Sequence, residues 1–200
     1  MSAGFWDERY AAPEYAYGTE PSALLSEHLA KLRPGDILLP AEGEGRNAVH
    51  AARTGWNVTA FDQSTEGRRK ALALAARHQV TIDYRLDGLD RFPYPPHAYN
   101  AVASIFVHLP PSFRPDYHRS LVRTLRPDGT LIIEAFSKEQ IAYASGGPKD
   151  PSQLYSVAEL QDDLNGMRII LLEERQVVLN EGPFHSGPAS VIHCIARKEH

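Results

Sequence analysis

GDILLPAEGEGRNAVHAARTGWNVTAFD, residues Gly35 to Asp62, alternates apolar runs with glycine turns. The apolar run Ile37-Leu38-Leu39 enters a glycine turn, Gly43-Glu44-Gly45. A run without Pro or Gly, Arg46 to Arg53, then leads through Gly55 into a second apolar run, Val58 to Phe61, ending on Asp62. Strand, glycine loop, helix, strand and acid make half of a nucleotide-binding unit. Glycines are needed in the turn because a side chain would block close approach of backbone N–H groups to a ligand at the helix N-terminus. Asp62 follows Gly43 by 19 positions, the spacing at which a carboxylate accepts hydrogen bonds from ribose hydroxyls. An adenosine-containing cofactor is expected.

Two cofactors compete for the loop. As a pattern, Gly43-x-Gly45-x-x-Ala48 fits the dinucleotide fingerprint with its permitted final Ala, which leaves an NAD(P)-dependent oxidoreductase open. The charges argue the other way. Glu42 and Glu44 stand where a pyrophosphate would sit and would repel it by about 1–4 kcal/mol each at contact range. S-adenosyl-L-methionine carries a sulfonium and an ammonium instead, which suits acid beside the turn.

AEGEGRN followed by VTAFDQS resembles the first two cofactor motifs of the class I S-adenosylmethionine-dependent methyltransferases. LRPDG, Leu125 to Gly129, is similar to the Leu-x-Pro-Gly-Gly turn those enzymes carry before their fifth strand. WDERY, YGTEP and GGPKD resemble the small-molecule enzymes of the tellurite-resistance and thiopurine methyltransferase-like type, so that the likeness runs from about Trp6 to Lys198. It implies that Glu42, Gly43, Glu44, Gly45, Arg46 and Asn47 meet the methionyl part and that Asp62, with Gln63, holds the ribose. It also implies that Asp87 accepts the adenine amino group with Gly88 and Leu89 on the ring edge, and that Ile105 completes the set. The region before the first strand is expected to fold over the cofactor as a lid, with Tyr17 and Gly18 its contact residues and Arg9 a partner for the methionine carboxylate. One departure stands out: the family's loop opens with an acid and a glycine at the positions of Leu39 and Ala41. Glu42 or Glu44 is expected to take over the acid's role.

The bulk numbers bound the rest. The chain has 200 residues, 42% hydrophobic and 23% charged, the composition of one soluble globular domain with room for a substantial core. It contains no run of eighteen apolar residues and begins without a basic, apolar leader, so no membrane partner and a cytoplasmic location are expected. A formal charge of −4 argues against nucleic acid, which calls for a clustered basic surface. Arg68-Arg69-Lys70 and the series from Arg114 to Arg126 read as solvated helix faces. The single cysteine, Cys194, lies in the apolar run VIHCIA and reads as inert core. The nine histidines show no H-E-x-x-H or paired Cys/His spacing, so no metal is expected, and nothing specifies an oligomeric state.

Taken in order, residues 1–20 are aromatic with little period. Pro21 to Lys31 reads as a helix, Glu66 to His78 as a longer one capped by Ser64, and Val80 to Leu86 as a third strand. Ala101 to Val107 is a continuous apolar run, as in a strand buried on both faces. His108 follows at its carboxyl end, where open α/β sheets place ligands. It is a candidate general base, as is His185 in a later loop, because histidine titrates near neutrality. Tyr117 to Leu125 reads as a helix, Thr130 to Ala135 as a fifth strand, 137–155 as a long polar lid loop, and Ser156 to Leu164 as a short helix. Met167 to Leu179 and Ala189 to Arg197 have no helix between them and read as an antiparallel hairpin. A nicotinamide fold would insert a crossover there. The expected fold is a single α/β domain over 1–200: a three-layer Rossmann-like mixed seven-stranded sheet, helices on both faces, with an antiparallel C-terminal hairpin. The expected activity is methyl transfer to a small-molecule acceptor, with a non-catalytic S-adenosylmethionine-binding protein as a further alternative.

Overall fold

The structure, a computed structural model, describes residues 2–199. Its seven strands form a mixed sheet, as the sequence implied. The chain divides into two compact units, Met1–Phe92 with Glu181–Phe184 and Pro93–Asn180 with His185–His200, each of which has its own logic.

In the first unit, β1 (Asp36–Pro40), β2 (Asn57–Asp62) and β3 (Asp83–Leu86) are parallel in the order β3-β2-β1. Ile37, Leu38 and Leu39 are fully buried, which is why β1 reads as an unbroken apolar run rather than an alternating one. Helix α3 (Arg46–Arg53) joins β1 to β2, and α4 (Thr65–Arg77) joins β2 to β3. The Ser64 hydroxyl accepts the Gly67 N–H at 2.9 Å and caps α4 as expected. β3 starts later than Val80, because Gln79 turns to φ +57° and the Val80 N–H closes the end of α4 on the Ala75 carbonyl.

The N-terminal stretch is not irregular: Ala3–Tyr10 forms α1, capped by Ser2. The sequence hid it because its inward face is aromatic rather than aliphatic. Trp6 stacks on Tyr10, and Asp7 accepts the Ser64 hydroxyl and the Glu66 N–H at the start of α4. Helix α2 spans Ala23–Leu29, shorter than Pro21 to Lys31, since Ser22 rather than Pro21 marks its start by accepting the Leu25 N–H. Lys70 is only 4% exposed, against the solvated-face reading of Arg68-Arg69-Lys70. It lies on the α4 face that also buries Gly67, Ala71, Leu74 and Ala75.

In the second unit, β4 (Tyr99–Ile105) is parallel to β5 (Leu125–Phe136). Next to β5 lies β7 (Ser186–Lys198), antiparallel to it and to β6 (Met167–Asn180), giving the order β4-β5-β7-β6. The expected hairpin is present. β4 ends two residues before Val107 because Phe106 takes φ +54°. α5 begins at Arg114, ahead of Tyr117, with Pro115 in its first turn. β5 begins at Leu125 rather than Thr130 and carries the RPDG turn within it, with Asp128 at φ +64°. Arg114 is buried and paired with Asp163 at 2.8 Å, so it too departs from the solvated-face reading. α6 (Val157–Asp163) opens on a capping box between Ser156 and Glu159.

The segment 137–155 is tied down at both ends by a bridge between Ser137 and Tyr155. It contains two 3-10 turns, Lys138–Ala142 and Pro151–Gln153. The Gln140 side chain holds it from inside, donating to the Ser145 hydroxyl and Gly146 carbonyl and accepting the Ser190 N–H at 2.8 Å. A polar sequence concealed a packed segment, because its polar side chains bond to one another and to β6 and β7. Cys194 is buried, and burial pushes its thiol up to about 12, which leaves it inert.

Candidate cofactor site

The glycine loop is built from both flanks. Gly43 takes φ +59°, and a Cβ there would lie 2.6 Å from the Tyr10 hydroxyl. Gly45 takes φ +86°, and its Cβ would lie 2.5 Å from that of Ala71. Glycine is required at both by conformation and by space. The Tyr84 hydroxyl donates to the Gly43 carbonyl at 2.5 Å, so the loop is held at its carbonyl as well. Ala41, where the resembled family has a glycine, sits at φ +48°: the backbone keeps the glycine conformation although the residue has changed.

Asp62 closes the loop. Its carboxylate accepts the Gly43 N–H at 3.1 Å and the Ser64 N–H at 2.8 Å, and the Gln63 N–H adds to them. A carboxylate has about four lone-pair sites, so three backbone donors leave acceptor capacity for a hydroxyl. Burial raises its pKa to about 6 against the effect of those amides.

The two glutamates have partners of their own. Glu42 accepts the Ala48 N–H at 2.7 Å and the Asn47 side-chain N–H at 3.3 Å. It thus caps α3, where a carboxylate meets exposed amides and the positive end of the helix dipole. Burial lifts it to about 7. Glu44 accepts the Ala16 N–H at 2.7 Å and pairs with Lys70 at 2.5 Å. Asn47 also accepts the Ser22 N–H at 2.9 Å. Arg46 donates to the carbonyls of Tyr17 and Glu20 and to the Glu181 carboxylate at 2.9 Å.

The expected lid residues lie in the same unit. The Tyr17 hydroxyl accepts from Arg9 at 3.2 Å, and the Arg9 guanidinium stacks 4.0 Å over the Phe184 ring. Gly18 takes φ +70° beside Gly182, where an added Cβ would lie 2.5 Å from the Gly18 nitrogen. Asp87 accepts the Gly88 N–H and stands 3.6 Å from Arg91, its own N–H bonding to the Asp62 carbonyl at 3.0 Å. Leu89 follows, partly buried. Every expected cofactor residue except Ile105 is thus gathered in the first unit. Phe92, stacked on Phe61 at 4.2 Å, together with Tyr10, Tyr84 and Lys70, was missed. Lys70 could have been found from its helical spacing with Gly67, Ala71 and Leu74; Tyr84 from an inward strand position that demands a hydroxyl partner.

Ile105, His108 and His185 belong to the second unit. His108 Nδ1 pairs with the Gln153 carbonyl at 3.1 Å, and Nε2 accepts the Phe136 N–H at 3.3 Å. The first partner requires a proton on Nδ1 and the second a lone pair on Nε2, so the ring is a neutral tautomer with both nitrogens engaged. Burial depresses it to about 4. His185 is buried edge-on to the rings of Phe106 and Phe136, at 4.6 and 5.2 Å.

Residues 37–129 match the family model described as a methyltransferase domain. That match spans just under half of the chain. Over 114 residues the chain is 29% identical to the uncharacterized protein Rv1405c of Mycobacterium tuberculosis, a match covering 55% of this chain and 40% of that relative. Among solved structures, one from work on conversion of a disulfide bond into a thioacetal group during echinomycin biosynthesis superposes with a TM-score of 0.76 at 19% identity, covering 98% of this chain and 92% of that one. TehB from Haemophilus influenzae gives 0.74 at 15%, covering 98% and 67%. The 1,6-didemethyltoxoflavin-N1-methyltransferase of Burkholderia thailandensis, solved with S-adenosylhomocysteine, gives 0.65 at 21%, covering 90% and 76%. These solved structures share the fold of this chain.

Proposed function

We propose that the protein transfers the methyl group of S-adenosyl-L-methionine to a small-molecule nucleophile. The observation that carries this reading is the set of two carboxylates that flank the glycine loop, Glu42 and Asp62, both at least nine-tenths buried, while the charge of Glu44 is taken up by Lys70. A pyrophosphate would add negative charge to that set, whereas a sulfonium and an ammonium are attracted by it. The acceptor capacity left on Asp62 suits a ribose hydroxyl. The fold shared with a methyltransferase solved with S-adenosylhomocysteine and a small molecule points the same way.

When bound, the cofactor supplies an electrophilic methyl whose bond to sulfur breaks as the nucleophile attacks in line. The protein's part is positional. The loop held by Tyr84, Asp62 and Tyr10 fixes the carrier, and placement of this kind supplies up to about 7–11 kcal/mol in favourable cases. His108 takes no proton, since both ring nitrogens are engaged and it stays neutral. We therefore assign an acceptor that reacts without a dedicated base, namely a thiol, a chalcogen or an amine, and a cytoplasmic setting consistent with the composition.

Calorimetric titration with S-adenosylhomocysteine, and in parallel with NADH, tests the reading. Micromolar binding of the first alone is expected. Binding of the nicotinamide alone would overturn it.

A further inference from the structure

α4 contains one cation that does not face water. The Lys70 ammonium donates to three carbonyls of a single short segment: Tyr10 at 3.4 Å, Ala12 at 2.8 Å and Glu14 at 2.6 Å. These are alternate residues, so the chain after α1 passes the ammonium with every second carbonyl turned toward it, and with Glu44 they set four acceptors around its three N–H groups. The ring of Tyr15, the residue after Glu14, lies 4.9 Å from the ammonium, and its hydroxyl donates to the Lys70 carbonyl at 3.1 Å. Opposite the segment stands Glu44, between the two loop glycines. One carboxylate oxygen pairs with Lys70 and the other accepts the Ala16 N–H. The pair is buried on both sides, Lys70 at 4% and Glu44 at 5% exposure.

We propose that Lys70 and Glu44 form a clasp that closes residues 10–16 over the glycine loop, and that cofactor affinity depends on the clasp being shut. Lys70 is then a positioning residue. It acts through Tyr10, whose hydroxyl abuts Gly43, and through Tyr17, one residue past the Ala16 anchor. The inference gives Glu44 a role other than contact with the methionine ammonium: its charge is neutralised by a lysine, and what it contributes is the attachment of the covering segment. A buried ammonium held by three carbonyls and one carboxylate has no equivalent in water, so loss of any part leaves the others unpaired. That gives the segment two states, shut or released, rather than a graded looseness. The inference rests on the proposed S-adenosylmethionine site.

The test compares wild type with Lys70→Met, which keeps the side-chain length without the charge, and with Glu44→Gln, which keeps an acceptor for the Ala16 N–H. Two quantities are read: amide hydrogen exchange of residues 10–17 in ligand-free protein, with Ile37–Leu39 of β1 as the reference, and affinity for S-adenosylhomocysteine by calorimetry. For Lys70→Met we expect exchange of the segment to rise by about tenfold or more while β1 stays protected. Affinity should fall by about tenfold or more in the same variant. Glu44→Gln should move both readouts in the same direction by less. If Lys70→Met also loses protection in β1, Glu44→Gln is judged by the same two readouts. A released segment with affinity within about twofold of wild type makes Lys70 merely structural and overturns the inference, as does lost affinity with the segment still protected. Wild type that fails to bind S-adenosylhomocysteine overturns the proposed function and the coupling together, which separates that failure from failure of the clasp alone.

Discussion

Asp62 Oδ2 accepts the backbone N–H of Gly43 at 3.1 Å, across 19 residues of sequence. The last residue of β2 thereby fixes the turn that follows β1, and the group expected to hold a ribose also shapes the loop beside it. Its neutralisation should therefore weaken binding more than the loss of one ligand contact would suggest.

Asp62→Asn is expected to weaken S-adenosylhomocysteine binding about 10- to 100-fold, since hydrogen bonds to a charged group contribute about 1.5–3 kcal/mol. In wild type, affinity should fall as the pH drops below about 6, where Asp62 takes up a proton. Calorimetry at pH 5 and pH 8 checks both, and an affinity indifferent to pH across that interval would remove Asp62 from the ribose site.

Glu42 gives a stability prediction of definite sign. Its pKa rises from 4.5 to about 7 on folding because burial disfavours the charge. The folded state thus binds the proton more tightly, and the contribution is fully present below pH 4.5 and lost as the pH rises through about 7. Glu42→Gln should remove that slope and gain up to about 3 kcal/mol relative to wild type above pH 8, less whatever the α3 cap loses. Urea unfolding at pH 5 and pH 8 measures the difference. A wild-type stability that climbs across this range would contradict it.

His108 offers the opposite sign. Its pKa falls from 6.5 to about 4 on folding, so its contribution is present above pH 6.5 and disappears as the pH falls through 4. His108→Phe leaves the Phe136 N–H and the Gln153 carbonyl without their partner, a loss of about 1–3 kcal/mol for each group left buried. Stability should suffer in thermal melts, whereas the pH profile of methyl transfer should keep its shape. An acidic limb that vanished in the variant would restore His108 as a general base.

Two substitutions at the loop should go in opposite directions. Ala41 holds φ +48°, a conformation that costs an L-residue about 1–2 kcal/mol. Glycine there loses about 0.5–1 kcal/mol of chain entropy, so Ala41→Gly should be neutral to slightly stabilising. Gly45→Ala combines φ +86° with a Cβ set 2.5 Å from that of Ala71 and should lower stability by about 2 kcal/mol or more. Melting temperatures of the two variants decide the matter.

The order of elements and the class of fold were legible in the sequence. Apolar runs such as Ile37 to Leu39 and Ala101 to Ile105 are local records of burial on both faces, Gly45 is a local record of a backbone that no side chain tolerates, and the helix-free passage from Met167 to Arg197 leaves an antiparallel pair as its outcome. It also placed Asp62, because distance along β1, α3 and β2 is fixed by the geometry of those elements. What it could not determine was the use of charges. Lys70 reads like its neighbours Arg68 and Arg69, and Glu44 reads as a ligand for a cation, until three carbonyls from residues 10 to 14 arrive around the ammonium. His108 reads as a base until a carbonyl and an amide, 45 and 28 residues away, take both its nitrogens. Such roles emerge on folding, because a charged or polar group's chemistry is set by the partners that close around it, and those partners are remote in sequence.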